Sequence, residues 1–185
     1  MTRKSFKVAL HAILTAVPTV LGYVLGPLTH TINLLLSFTG LPIGVRLGFM
    51  SLVIVVILAR AILGRGAALV QGVLLAITGV IFHHGESPLV RIPKDFLLGL
   101  GVEIALLRLS RPKINVKQAL VASILGGILS YIPYLMFIPS SVFHLALVAS
   151  ILLMPSFLTS CIIGGIIAME ILKRVHTVLK GLSLV

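Results

Sequence analysis

Acidic residues are scarce in this chain of 185 residues, which has four Asp and Glu against fifteen Lys and Arg, one Cys and no Trp. The single Cys161 lies within an apolar run, so it indicates neither a disulfide framework nor a metal site. The chain has no Gly-rich loop that ends in Gly-Lys-Ser or Gly-Lys-Thr, which excludes ATP hydrolysis by this chain itself. It has no His-Glu-x-x-His or Cys-x-x-Cys motif, and its four acids are scattered. We therefore predict no enzymatic activity, no cofactor and no bound metal.

Apolar residues dominate instead: 58% of the chain is hydrophobic, 10% is charged and the mean hydropathy is +1.20. Apolar runs of about twenty residues recur, and each can cross a hydrocarbon core about 30 Å thick. The pattern predicts an all-α integral membrane protein with a single six-helix transmembrane domain over residues 1–185. Pro and Gly residues separate the six predicted spans, which cover residues 8–26, 45–63, 67–82, 94–108, 117–138 and 145–172.

Positive charge is distributed unevenly between the two sides of these spans. With the N-terminus inside, twelve of the fifteen Lys and Arg fall on the inner side, and the other three are Arg46, Arg91 and Lys94. The positive-inside rule then predicts cytoplasmic N and C termini in a multi-pass protein of the cell (plasma) membrane. Topology explains the net charge of +11, so we expect the lipid bilayer and no nucleic acid as a partner.

Residues 27–44 form a long segment that is apolar but interrupted by Gly and Pro. The segment is too short for a comfortable extra span, and a seventh span would put the two termini on opposite sides. We therefore expect an outer lid-like loop, which either caps a cavity or dips back into the membrane.

The stretch from His83 to Asp95 interrupts this apolar chain with six titratable side chains on the outer side. One interpretation is a polar rim that binds a ligand. The other is an ordinary outer loop, in which Pro93 starts the fourth helix and Asp95 suits the dipole of its first turn. The six side chains are His83, His84, Glu86, Arg91, Lys94 and Asp95.

Glu103 is predicted near the middle of the membrane, since it lies about 12 Å deeper than Asp95 at the helical rise per residue. A carboxylate there costs about 2.5–3.5 kcal/mol, so it should face the bundle interior with a partner or be protonated. Gly99 shares the face of both acids and is expected to leave space between them. Glu103 is then either a cavity floor that contacts ligand or the partner of Gln71 or a serine in an interhelical hydrogen bond.

Aromatic residues also lie mainly towards the outer side, where we place nine of the eleven. Phe6 and Phe157 are the exceptions. The set predicts the wall of an outward-facing pocket, and the alternative is a one-sided anchoring belt combined with core packing. The nine are Tyr23, Phe38, Phe49, Phe82, Phe96, Tyr131, Tyr134, Phe137 and Phe143.

Small residues spaced four apart predict close helix contacts, because such faces let two backbones approach inside a bilayer. We expect at least two of three such stripes to be packing within the chain. The stripes are Ala12/Ala16, Gly40/Gly44/Gly48 and Ala68/Gly72/Ala76.

The whole pattern resembles the substrate-binding subunits, or S components, of energy-coupling factor (ECF) transporters. The resemblance lies in ALHAILTA (Ala9–Ala16) in the first span, the broken outer loop Leu28–Gly44 and the short LGRGA turn Leu63–Ala67. It implies that Ala12 and Ala16 dock on a transmembrane coupling protein, which joins two ABC ATPases. Residue 2 is Thr rather than the early His of the metal-specific branch, so nickel or cobalt is not the implied ligand.

We therefore expect a membrane-embedded binding subunit for uptake of a small organic micronutrient, a vitamin or its precursor. The mixed charges of the outer rim suggest a neutral or zwitterionic ligand. Two alternatives are a small structural subunit of a membrane complex and a self-contained proton-coupled carrier that uses Glu103. The predicted ligand-binding residues are Asn33, Phe38, Phe82, His84, Glu86, Arg91, Asp95, Glu103, Tyr131 and Tyr134.

Overall fold

The computed structural model describes residues 5–20, 47–81, 87–107, 114–137 and 143–181. These residues form six α-helices, which confirms an all-helical fold for this part of the chain. The predicted lid-like loop 27–44 lies outside the described residues. The helices are α1 (Ser5–Val20), α2 (Leu47–Leu63), α3 (Ala67–Ile81), α4 (Pro88–Ala105), α5 (Val116–Met136) and α6 (Phe143–Gly181).

The predicted start of α4 is wrong, because the helix begins at Pro88 rather than at residue 94. Pro88 occupies the first helical turn, where a missing N–H costs nothing and its fixed φ suits the helix. The backbone N–H groups of Val90 and Arg91 donate to the carbonyl of Ser87 at 3.0 and 2.9 Å, which starts the helix there. Pro93 lies inside α4, and Asp95 lies beyond its first turn.

The turn between α2 and α3 requires glycine at two positions. Gly64 and Gly66 have φ angles of +96° and +81°, a region that residues with a Cβ rarely adopt. The turn reverses the chain within three residues and returns α3 along α2. The predicted end of α2 before Gly64 and the predicted start of α3 after Gly66 agree with the structure.

Helix α2 lies at the centre of the bundle and contacts α3, α4, α5 and α6. Apart from the buried Ser51 and Arg60, it is apolar on all sides, as a fully surrounded helix should be. Val53, Val56 and Ile57 have no exposed surface. The outer helices pack in chain order from α3 to α6. Helix α1 adds to this bundle beside α3, with Leu14 reaching the core.

Glycine pairs bring α4 into backbone contact with both of its neighbours. A Cβ added at Gly99 would lie 3.2 Å from the Cα of Gly72 on α3, and one added at Gly101 would lie 2.6 Å from the Cα of Gly126 on α5. Such contacts favour association in a bilayer, where packing rather than water drives helices together. The expectation that Gly99 leaves space between two acids is therefore wrong, because α3 fills that space.

Two of the described segments are long and apolar enough to cross a membrane, Val116–Met136 and Met154–Val175. Helices α1, α2 and α3 are apolar but shorter. Helix α6 continues past the predicted end at residue 172 to Gly181, with Pro155 in its interior. The described part of the chain is thus a helical bundle whose composition is compatible with a membrane.

Candidate functional site

A buried charge cluster lies near the start of α4. The Asp95 side chain has no exposed surface, and its Oδ2 lies 3.6 Å from Nε of Arg91, one helical turn earlier. Nζ of Lys94 lies 4.0 Å from Oδ1 of the same carboxylate. Burial of an unpaired charge is costly. The pairing of these three groups offsets part of that cost. The predicted site residues Arg91 and Asp95 therefore do meet.

Helices α3 and α5 position the two cations. Gly79 of α3 leaves room for the Arg91 guanidinium, since a Cβ at that position would overlap with the Arg91 side chain. Nζ of Lys94 lies 3.5 Å from the hydroxyl oxygen of Tyr134 on α5 and 5.8 Å from the centre of its ring. The ammonium group thus combines a long polar contact with a cation–π contact. The cluster joins side chains of α4 and α5, and α3 borders it at Gly79.

Four aromatic rings of the described region pack on one another. The ring of Tyr131 lies 5.7 Å from that of Tyr134 and 5.2 Å from that of Phe157, and Phe157 stacks on Phe49 at 3.8 Å. Phe49, Tyr131 and Phe157 are buried. The sequence analysis left Phe157 out of the outer aromatic set, and this is wrong. Helix α6 packs along α2 and brings Phe157 to Phe49 near the start of α2. For these three rings the contacts favour core packing.

Glu103 takes part in a second and tighter cluster at the other end of α4. Its Oε1 lies 3.0 Å from Nε of Arg60 and accepts a hydrogen bond of 2.9 Å from the backbone N–H of Gly66. Arg60 also donates from Nη2 to the carbonyl of Leu106 at 2.9 Å. The predicted partners of Glu103, Gln71 or a serine, are wrong. The physical reason is that α4 ends at Ala105, so Glu103 lies in its last turn beside the α2–α3 turn.

Gln71 instead joins α3 to α1. Its side chain has no exposed surface, and its amide contacts Nδ1 of His11 at 2.8 Å and Oγ1 of Thr15 at 2.9 Å. Both partners project from the face of α1 that meets α3. This contact sets how α1 is rotated on the bundle, so that Ala12 and Ala16 are exposed.

An open apolar groove of about 810 Å³ lies between α1 and α3, and Ala12 and Ala16 form part of its wall. By contrast, Ala68, Gly72 and Ala76 on α3 are buried, which confirms packing within the chain for that stripe. Gly48 is exposed, whereas Gly40 and Gly44 lie outside the described residues. The groove is lined by Val8, His11, Ala12, Thr15, Ala16, Thr19, Val20, Val70, Leu74 and Thr78.

Several predicted ligand-binding residues lie outside the described residues, namely Asn33, Phe38, Phe82, His84 and Glu86. Sequence reasoning also missed contributors to the two clusters. Lys94 was placed in the outer polar rim but left out of the ligand-binding set, whereas Gly79 and Arg60 act across helices and carry no local signal. Within the ranges that the structure describes, no three His, Cys, Asp or Glu side chains are grouped as metal ligands.

No protein-family model matches the chain, and neither a curated protein nor a solved structure gives a significant match.

Proposed function

We propose that this protein is a membrane-embedded binding subunit of the S-component type, which captures a small organic micronutrient for uptake. The observation that carries the proposal is the exposed face of α1. Ala12 and Ala16 border an open apolar groove instead of packing inside the bundle. A face without bulky side chains allows a second membrane helix to approach closely. The partner would be a transmembrane coupling protein that works with two ABC ATPases.

The proposed topology has six membrane spans and cytoplasmic termini in the plasma membrane. Large apolar side chains on the bundle surface support it, among them Ile77, Ile81 and Ile166, which are exposed as lipid-facing residues would be. Under this topology the Arg60–Glu103 cluster lies at the cytoplasmic end of α4. The Arg91–Asp95 cluster lies at the outer end, where a ligand would arrive.

The proposed ligand site is built on Arg91, Lys94, Asp95 and Tyr134. The Asp95 carboxylate lies 3.6 Å from Arg91 and 4.0 Å from Lys94, so a ligand at this site would meet charges of both signs. Residues 27–44 would cover the site as a lid. Glu103 is not included, because it is held at the opposite end of α4.

The structural alternative, a subunit of a membrane complex without a ligand, is supported by the same groove. The proton-coupled carrier is less well supported, because Glu103 Oε1 already faces both Arg60 and the Gly66 N–H. Both contacts hold the carboxylate in one place at the end of α4, which suits a permanent pair better than a proton carrier.

Mass spectrometry of the purified protein tests the proposed function. The protein is isolated in mild detergent, and small molecules are extracted and compared with those from an unrelated membrane protein prepared identically. We expect one organic compound enriched to near-equimolar amount. A preparation that is folded and associated with a membrane partner, yet carries no enriched compound, would support the structural subunit instead.

A further inference from the structure

We infer that His11 is the polar recognition element of the groove, and that the docking helix presents a hydrogen-bond donor, such as a hydroxyl or an amide, to its Nε2 atom. This inference rests on the proposed docking role of α1. It specifies the chemistry of the partner helix: small residues that fit against Ala12 and Ala16, with one polar donor at the level of His11.

A chain of hydrogen bonds determines which nitrogen of His11 carries the proton. Thr15 Oγ1 donates its hydrogen to the carbonyl of His11 at 2.8 Å, so its oxygen can only accept from Gln71. Gln71 therefore donates from Nε2 to Thr15 at 2.9 Å, and its Oε1 faces Nδ1 of His11 at 2.8 Å. An amide oxygen accepts, so Nδ1 must carry the hydrogen.

In the neutral ring, the other nitrogen of His11 is then a hydrogen-bond acceptor. In a neutral imidazole with a hydrogen on Nδ1, Nε2 has a lone pair that points away from Nδ1 across the ring. His11 is half-buried and lines the groove. Among the described residues, its ring makes one hydrogen bond, the one through Nδ1. Gln71 thus holds the ring so that an acceptor remains for a groove occupant.

The hydroxyl hydrogens of the groove threonines are already donated within their own helix. Thr19 donates to the carbonyl of Thr15 at 3.0 Å, and Thr78 donates to the carbonyl of Leu74 at 2.9 Å. The rest of the lining is apolar, including Val8, Val20 and Val70. A purely apolar helix would therefore bury the His11 acceptor without a donor, which is costly in hydrocarbon. A helix that brings one donor removes this cost.

Synthetic transmembrane helices provide a defined probe for this inference. One peptide has a Leu/Ala sequence, and four others carry a single serine at successive positions around one turn at the depth of His11. Labelled peptides and labelled protein are reconstituted in phosphatidylcholine vesicles, and association is measured by energy transfer. We expect one serine peptide to bind at least about threefold more tightly than the alanine peptide, in line with measured interhelical hydrogen bonds.

The variant His11→Phe keeps a planar ring but has no acceptor, so the preference for serine should disappear. Equal binding of all five peptides to the unmodified protein, including no binding by any of them, would overturn the inference without use of a variant. A serine preference that persists in His11→Phe would also overturn it. The assay needs neither ligand nor ATPases. Its result is therefore independent of whether the protein captures a ligand.

Discussion

Helix α3 has two very different neighbours. Towards α4 it is packed backbone to backbone, and the carbonyl oxygen of Asp95 lies 2.6 Å from where a Cβ of Gly72 would be. Towards α1 it is joined by the Gln71 hydrogen bonds, and beside them an open groove remains. Small residues at the same spacing lie on α3 at the first contact and on α1 beside the groove.

The difference separates a small-residue stripe that packs within the bundle from one that is exposed on α1. Ala68, Gly72 and Ala76 are buried, and the backbone of Gly72 lies directly against α4. Ala12 and Ala16 make no comparable backbone contact within the described bundle. We therefore expect substitutions on the α4 side of α3 to affect folding and ligand capture, and substitutions on the α1 face to affect coupling.

The largest effect on stability is expected for Glu103→Ala. The change leaves Arg60 buried without its carboxylate, and removal of one member of a buried pair costs about 3–5 kcal/mol. Thermal unfolding in detergent should show a clear loss. The control is Glu170→Ala, whose pair with Lys173 is exposed and contributes about 0–1 kcal/mol. Similar losses for both variants would mean that the Glu103 cluster does not hold the helix ends together.

Ligand capture should be weakened most by Arg91→Ala. Loss of one partner from a desolvated charge contact costs about 2–5 kcal/mol of binding free energy. The compound extracted from the purified protein should therefore be largely lost, whereas the exposed Lys117→Ala should retain it. Equal retention by both variants would place the ligand away from the Arg91–Asp95 cluster.

Two leucine substitutions, one in the α3 stripe and one in the α1 stripe, compare how much each stripe contributes to stability. Gly72→Leu forces a side chain into the backbone of α4, and overpacking of this kind costs about 1–3 kcal/mol or more. Ala16→Leu places the same side chain in the open groove and should leave the unfolding temperature nearly unchanged. If Ala16→Leu destabilises the isolated protein as much as Gly72→Leu does, the α1 face is ordinary internal packing.

The sequence predicts the helices well where glycine and proline leave one choice. Gly64 and Gly66 bound α2 and α3, because only glycine tolerates those φ angles, and the predicted ends agree with the structure. The start of α4 could not be decided in this way, since Pro88 and Pro93 can both begin a helix. The helix begins at Pro88 because the Ser87 carbonyl accepts hydrogen bonds from two backbone N–H groups that follow it.

The candidate site was predictable only where its contacts are local. Arg91 and Asp95 are four residues apart, so their contact follows from spacing once the helix begins at Pro88 rather than at residue 94. The contacts of Lys94 with Tyr134 and of Glu103 with Arg60 depend on which helices are neighbours, and spacing within one helix says nothing about that. In the same way, the spacing of Ala12 and Ala16 predicts a flat face but not whether that face is covered.

Ligand retention and uptake in the double variant Ala12→Leu/Ala16→Leu test the central claim most directly. The isolated double variant should retain the co-purified compound at normal amounts and should unfold at a normal temperature. Uptake of that compound by cells should be abolished, because the two leucines fill the groove where the coupling protein would dock. The control, Val17→Leu, lies on the same helix outside the groove and should support normal uptake. Loss of compound and uptake together, or normal uptake by the double variant, would contradict the account.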